Sequence, residues 1–270
     1  MKRFDLDTWQ EILVTITRNK TRSLLTAFGI FWGIFMLVAL MGGAQGLQDI
    51  LSRQFQGFAT NSGFLGSNQT SKAYKGFQQG RFWDLENLDV DRIRKNVDEV
   101  DIVTPTLARW GINAVYQDKK ISGTLKGLYP EYGKIEEPDI VMGRFINDMD
   151  IRDQRKVCVI GKRIYETLFP GGENPCGRYI EVNGIYYQII GVSMANGNIS
   201  IQGRSETTVT IPFSTMQNNY NFGNKIQLLC YTAKKGYSIS EVEEKIGEVV
   251  KKAHFIHPED EQALIQVNAE

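Results

Sequence analysis

The sequence predicts an α+β domain carried on a single membrane-spanning helix. Three observations carry that reading. From Ser23 to Gln48 the chain has no charged residue, and Leu24 to Ala44 is apolar on every helical face. Beyond that stretch, short β-rich runs alternate with short segments of helical periodicity. One of the β-rich pairs is joined by Asn183-Gly184, whose residues readily take the positive φ angles of a tight hairpin turn.

Composition removes several alternatives. The 270 residues carry 31 Lys+Arg against 31 Asp+Glu, so no bulk basicity points to nucleic acid. Hydrophobic residues make up 42% and charged residues 23%, a globular balance that excludes disorder, collagen-like and coiled-coil classes. The three cysteines, Cys158, Cys176 and Cys230, allow one disulfide at most and do not make a disulfide scaffold.

The apolar run comes first in the chain. About 21 residues at ~1.5 Å rise span roughly 31 Å, the thickness of a bilayer's hydrocarbon core. That length exceeds the apolar part of a secretory signal, so a retained anchor over residues 23–48 is expected. Lys2, Arg3, Arg18, Lys20 and Arg22 precede it and only Arg53 follows closely, which puts the N-terminus in the cytoplasm. Within residues 1–22, Trp9, Ile12, Leu13 and Ile16 share one helical face behind an Asp7/Gln10 capping pattern near Thr8. This reads as an amphipathic helix lying in the cytoplasmic interface, or packed on another subunit. Gly29 with Gly33, and Gly42 with Gly46, have the spacing that lets membrane helices approach closely, so partner helices are expected.

After the anchor, a polar, glycine-spaced stretch runs to about Gly80. A short helix over about 89–97 follows from Leu88, Val90, Ile93 and Val97. Ile102 to Val115 and Ile121 to Leu128 read as hairpin strands turning at Asp118-Lys119-Lys120. Lys156 to Gly161 reads as a buried strand, and Lys162 to Phe169 as a helix stopped by Pro170-Gly171-Gly172. Tyr179 to Val182 and Ile185 to Val192 flank the Asn-Gly turn, and two strands are expected near Thr207 to Ile211 and Ile226 to Ala233. A last helix opens at Ser240 with Glu243 as its capping box, and its stripe of Val242, Ile246, Val249, Val250 and Ala253 docks on a sheet. Asn196 to Ser205, polar and containing Asn196, Asn198, Gln202 and Arg204, is expected as an exposed loop and a candidate partner contact.

Catalytic chemistry is missing from the pattern. Gly-Lys occurs only at Gly133-Lys134 and Gly161-Lys162, neither with the remainder of a phosphate-binding loop. His254 and His257 are one residue short of a metal-binding i, i+4 pair, and no GxSxG elbow is present. Cys158 lies in an apolar strand where burial makes a thiol inert, and Glu136-Glu137 and Glu243-Glu244 read as solvated charges. No catalytic residue, cofactor or metal is therefore expected.

The order of short motifs resembles the MacB-like periplasmic core domain of permease subunits in bacterial ABC transporters. It runs through the basic entry Arg18 to Ile34, Gly143-Arg144-Phe145, Val157 to Gly161, Leu168-Phe169, Pro175-Cys176-Gly177, Ile189 to Val192 and Ile211-Pro212. Cys176 departs from the small or aliphatic residue usual there. The resemblance implies a porter-like periplasmic subdomain, mapped to 49–140 and 206–270, with a mixed α/β subdomain inserted at 141–205. It also implies a permease subunit of the inner membrane whose periplasmic domain is moved by ATP hydrolysis on a separate ATPase subunit, exporting peptide, drug or lipoprotein. Implied partners are that ATPase, a second permease copy and a periplasmic adaptor. Family permeases continue into three further spans, so the sequence reads as part of a longer permease. A single-span anchored binding or sensor module is the alternative, weakened by a leader too short to be an output domain, and an anchored enzyme is a distant third.

Overall fold

The computed structural model describes residues 20–54, 61–194 and 201–269, so the Trp9–Ile16 stripe and its start near Thr8 lie outside the described residues. Residues 1–54 and 55–270 are separate compact units. Helix α1 (Lys20–Gln54) is one unbroken helix of 35 residues. Its segment Lys20–Gly46 is long and apolar enough to cross a bilayer, and none of the tested window is buried in the protein. The hydroxyl of Thr26 donates to the Arg22 carbonyl at 2.9 Å, which satisfies the polar group inside the apolar run.

The second unit is organised by β3 (Val100–Tyr116), a strand of 17 residues that belongs to two differently built halves of one sheet. Its first half pairs with β11 (Leu228–Ala233), which pairs with β1 (Ser62–Ser67), which pairs with β12 (Leu264–Ala269), all antiparallel. Helices α2 (Asn87–Asn96) and α6 (Ile239–Ala253) cover one face of this open part. Val90 and Ile93 from α2 and Ile239, Val242, Ile246 and Val250 from α6 are buried there with Leu65, Leu229 and Tyr231.

The second half of β3 enters a closed circuit. It pairs with β4 (Lys119–Leu128), β4 with β9 (Thr208–Pro212), β9 with β6 (Val157–Gly161), and β6 with β8 (Ile185–Ser193). β8 pairs with β7 (Tyr179–Val182), and β7 returns to β3 through Ala114↔Val182 and Val115↔Glu181. The inward positions Ile112, Leu125, Cys158, Ile180, Ile189 and Val209 are fully buried, so the ring is filled by side chains as small barrels are. α4 (Lys162–Leu168) and α5 (Phe213–Asn219) pack on the ring, and β5 (Ile140–Gly143) extends it beside β8. A short helix α3 (Asp148–Arg152) and the two-residue strands β2 (Leu85–Glu86) and β10 (Lys225–Ile226) complete the unit.

Most expected elements are present with shifted ends. The β3–β4 turn sits at Gln117-Asp118, with Gln117 at φ 54°, one residue before the expected turn. The last helix is capped by Ser238, whose hydroxyl accepts from the Ser240 N–H, and not by Ser240 with Glu243. Glu243 instead turns to β12, accepting from Asn268 at 2.7 Å. The polar, glycine-spaced stretch before Gly80 contains β1, whose Gly63 lies under the ring of Tyr231 with no room for a Cβ. The Asn183-Gly184 turn joins β7 and β8 with φ of 49° and 84°. Gly184→Val is expected to cost about 1–2 kcal/mol of stability through that left-handed backbone, read as a lower urea midpoint at unchanged slope.

Candidate interaction sites

Two regions of the sequence were expected to meet partners, and the structure places them in different settings. On α1, nothing beyond the helix's own adjoining backbone and the neighbouring residues lies within 4 Å of where a Cβ would stand on Gly29 or Gly33. Phe28 and Trp32 stack at 6.0 Å between centroids, and Trp32 meets Phe35 at 5.7 Å. A shallow glycine notch flanked by aromatic side chains is thus laid open along the apolar helix, the geometry that backbone-close helix packing requires.

In the second region, Asn196 and Asn198 lie outside the described residues, while Gln202 is half-buried and Arg204 exposed. Gln202 is tied to the sheet, because its Oε1 accepts from the Thr106 hydroxyl at 2.8 Å. Gly203 presses on Thr124 at φ 122°, and the Ser205 hydroxyl donates to Glu136 at 3.0 Å. Residues 201–205 therefore hug β3 and β4, and Arg204 is the side chain they offer to solvent. Glu136, expected as a solvated charge, is instead half-buried and also accepts from the Tyr132 hydroxyl at 2.8 Å.

Two buried carboxylates fix the surrounding elements. Asp150 on α3 accepts two bonds from Arg144, at 2.5 and 3.0 Å, and the Asn147 N–H, closing a capping box. This is what holds the Gly143-Arg144-Phe145 motif to α3. Asp89 on α2 accepts from the Glu86 N–H and from Arg92, and lies 2.8 Å from His254 Nε2 at the end of α6. His254 packs on Trp83 at 4.7 Å, so the histidine is a structural clasp between two helices. His257 stands against Tyr74 at 5.3 Å. No group of His, Cys, Asp and Glu that could hold a metal ion occurs among the described residues. Cys158 and Cys230 are buried, and burial pushes both thiols far up, out of the reactive range. The clasp had a trace in the sequence, the His254 near a helix end, but its partner lies 165 residues away.

The comparisons with known proteins agree with this arrangement. The model of the MacB-like periplasmic core domain matches residues 23–249. A "Macrolide export ATP-binding/permease protein MacB" of Chlorobium phaeobacteroides is 25% identical over 257 residues, covering 93% of this chain and 38% of that protein. A MacB protein of Aggregatibacter actinomycetemcomitans is 26% identical over 242 residues, covering 88% of this chain and 36% of that protein. The chain thus spans little more than a third of these relatives. Among solved structures, the periplasmic region of MacB from Actinobacillus actinomycetemcomitans superposes with a TM-score of 0.63 at 19% identity, covering 80% of this chain and 92% of that one. The extracellular domain of the ABC-type transporter YknZ from Gram-positive bacteria gives 0.61 at 18% identity, covering 77% and 100%. At these identities the structural likeness speaks for the fold.

Proposed function

Because this chain belongs to the MacB-like periplasmic core domain family, we propose that it is a permease part of an ABC transporter, exporting peptide, drug or lipoprotein under the drive of a separate ATPase subunit. The observation that carries this reading is the union, in one chain, of an open apolar helix and a domain with the fold of the MacB periplasmic region. In this reading α1 crosses the inner membrane with its basic end in the cytoplasm, and the domain stands in the periplasm. ATP is hydrolysed on the partner, and the domain transmits the resulting movement without chemistry of its own.

A second permease copy meets the first along Gly29 and Gly33, and a periplasmic adaptor is met by the loop holding Asn196, Asn198, Gln202 and Arg204. The porter-like part (49–140 and 206–270) and the inserted part (141–205) act as the two periplasmic subdomains. The ring joins the two parts, since β7 pairs with β3 and β6 with β9 across that division.

The test is co-purification of the tagged protein from its own membranes. An ABC ATPase retained with it is the expected result, and its consistent absence, with the protein intact, overturns the reading. Gly33→Leu fills the notch, and is expected to reduce cross-linked or co-purified second copy by about tenfold, equivalent to ~1.4 kcal/mol of packing.

A further inference from the structure

We propose that the outer edge of β12 pairs with the same edge of a second copy of this chain, antiparallel and about a two-fold axis at Gln266, so that the open sheet runs on from one copy into the other. β12 ends the sheet and pairs with β1 alone among the described residues. In step with that register, the Ala263 carbonyl accepts from the Asn68 N–H at 2.9 Å. The alternation of an antiparallel strand then turns the backbone groups of Ile265 and Val267 to β1, and those of Leu264, Gln266 and Asn268 outward. A row of outward N–H and C=O groups is a template for one more strand.

Sheets that end in water guard such edges with shortness, charge, proline or bulges. The opposite end of this sheet is guarded. β5 has four residues, a register break between Ile140 and Met142, and positive φ at both ends, 41° at Asp139 and 73° at Gly143. β12 has none of these devices: Leu264–Ala269 contains no charged residue and no proline, and its register with β1 is unbroken. Gln266 and Asn268 reach back to Glu243 on α6, whereas Ile265 and Val267, on the other face, are 51% and 54% exposed. A second copy fits this edge because the strand is its own complement. With the axis at Gln266, Ile265 of one copy stands opposite Val267 of the other, and Leu264 opposite Asn268. Four β-branched side chains then cover one another in adjacent pairs, and no like charges meet. Among the two-fold registers open to the outward groups, this one pairs the strand over its whole length. The edge is a different surface from the Gly29–Gly33 notch and its pairing requires no ATPase, so it does not depend on the transport reading.

The experiment is oxidative cross-linking of the full chain in its own membranes, with the parent chain as background. In Gln266→Cys the two added cysteines stand about 5.5 Å apart at Cα, within the span of a disulfide. In Asn268→Cys they are offset by four residues, roughly 13 Å, beyond that span. Gln266→Cys is expected to give a disulfide dimer at least about tenfold above both Asn268→Cys and the parent. Differently tagged Ile265→Cys and Val267→Cys chains, expressed together, are expected to give the mixed dimer while leaving Gln266 in place. Adding Ile265→Lys and Val267→Lys to Gln266→Cys sets lysine opposite lysine, and is expected to lower the dimer by about tenfold or more. Its melting temperature should stay unchanged, because both side chains are exposed. Cross-linking at Gln266→Cys no stronger than at Asn268→Cys, absence of the mixed dimer, a disulfide adduct with a different protein, or an undiminished dimer in the folded double-lysine variant would each overturn the proposal.

Discussion

Gly143→Ala is expected to destabilise the folded domain by about 3 kcal/mol, one of the largest effects of any single methyl group in the chain. Gly143 has φ 73°, a left-handed conformation that an L side chain adopts only at a cost. An added Cβ would also collide with the Ile190 carbonyl oxygen and come within 2.9 Å of Cys176 Sγ and of the Gly191 Cα. The neighbour cannot give way, because Ile190 O already accepts from the Arg144 N–H at 2.9 Å, and Arg144 is clamped to Asp150. β5, the Arg144 clamp and α3 should loosen together. Equilibrium urea unfolding measures this, with Gly171→Ala as a control where a Cβ meets nothing within 4 Å. A loss below about 1 kcal/mol would show that the β5–β8 approach is softer than the backbone geometry requires.

Asp89→Ala is the second large effect, expected to cost about 3–5 kcal/mol. Removal of this fully buried carboxylate leaves the Glu86 N–H, Arg92 and His254 without their shared acceptor and unclasps α2 from α6. Burial alone would raise its pKa, but the bonds from His254, the Glu86 N–H and Arg92 outweigh burial and hold it below 3.8. Asp150 is held low in the same way, burial being outweighed chiefly by Arg144, and Asp260 by the Ser71 hydroxyl and the N–H groups of Ser71, Lys72 and Ala263. For carboxylates whose folded pKa is depressed, the stabilisation is present above the ordinary carboxylate range and lost as pH falls through the folded value. Stability should therefore vary little through these groups down to about pH 4 and fall steeply below it. Urea midpoints between pH 7 and 3 check this, and Asp89→Asn should flatten the acid limb relative to the parent.

The sequence revealed the parts that rest on local rules. The apolar helix, the Asn183-Gly184 hairpin, the Val157–Gly161 strand with its following helix, and the α6 stripe all follow from spacing within ten or fifteen residues. β1 escaped because Gly63 and Gly66 lower its strand character, and their use is visible only when Tyr231 lies across Gly63. β12 escaped because six residues at the end of a long helix–loop segment carry no turn signal of their own. The closure of the ring depends on two register pairs between β3 and β7, a long-range pairing no local pattern encodes. The sites divide in the same way. The i, i+4 glycines of α1 are a local pattern, whereas the Asp89–His254 clasp joins residues from distant segments. Lys126 is buried without a local signal, since the strand alternation of β4 puts it where solvent would be expected.

The placement of β1 sets the order in which this protein is able to fold. Both of its sheet neighbours, β11 and β12, are drawn from residues 228–269, whereas β1 itself is residues 62–67. During synthesis the first strand of the domain emerges without a partner and waits while the ring, assembled from residues in between, takes shape. Such late, far-separated pairing is slow and leaves unpaired backbone exposed in the interval. Protection of the β1 amides is therefore expected to arrive only with residues 228–269, which pulsed hydrogen exchange during refolding checks.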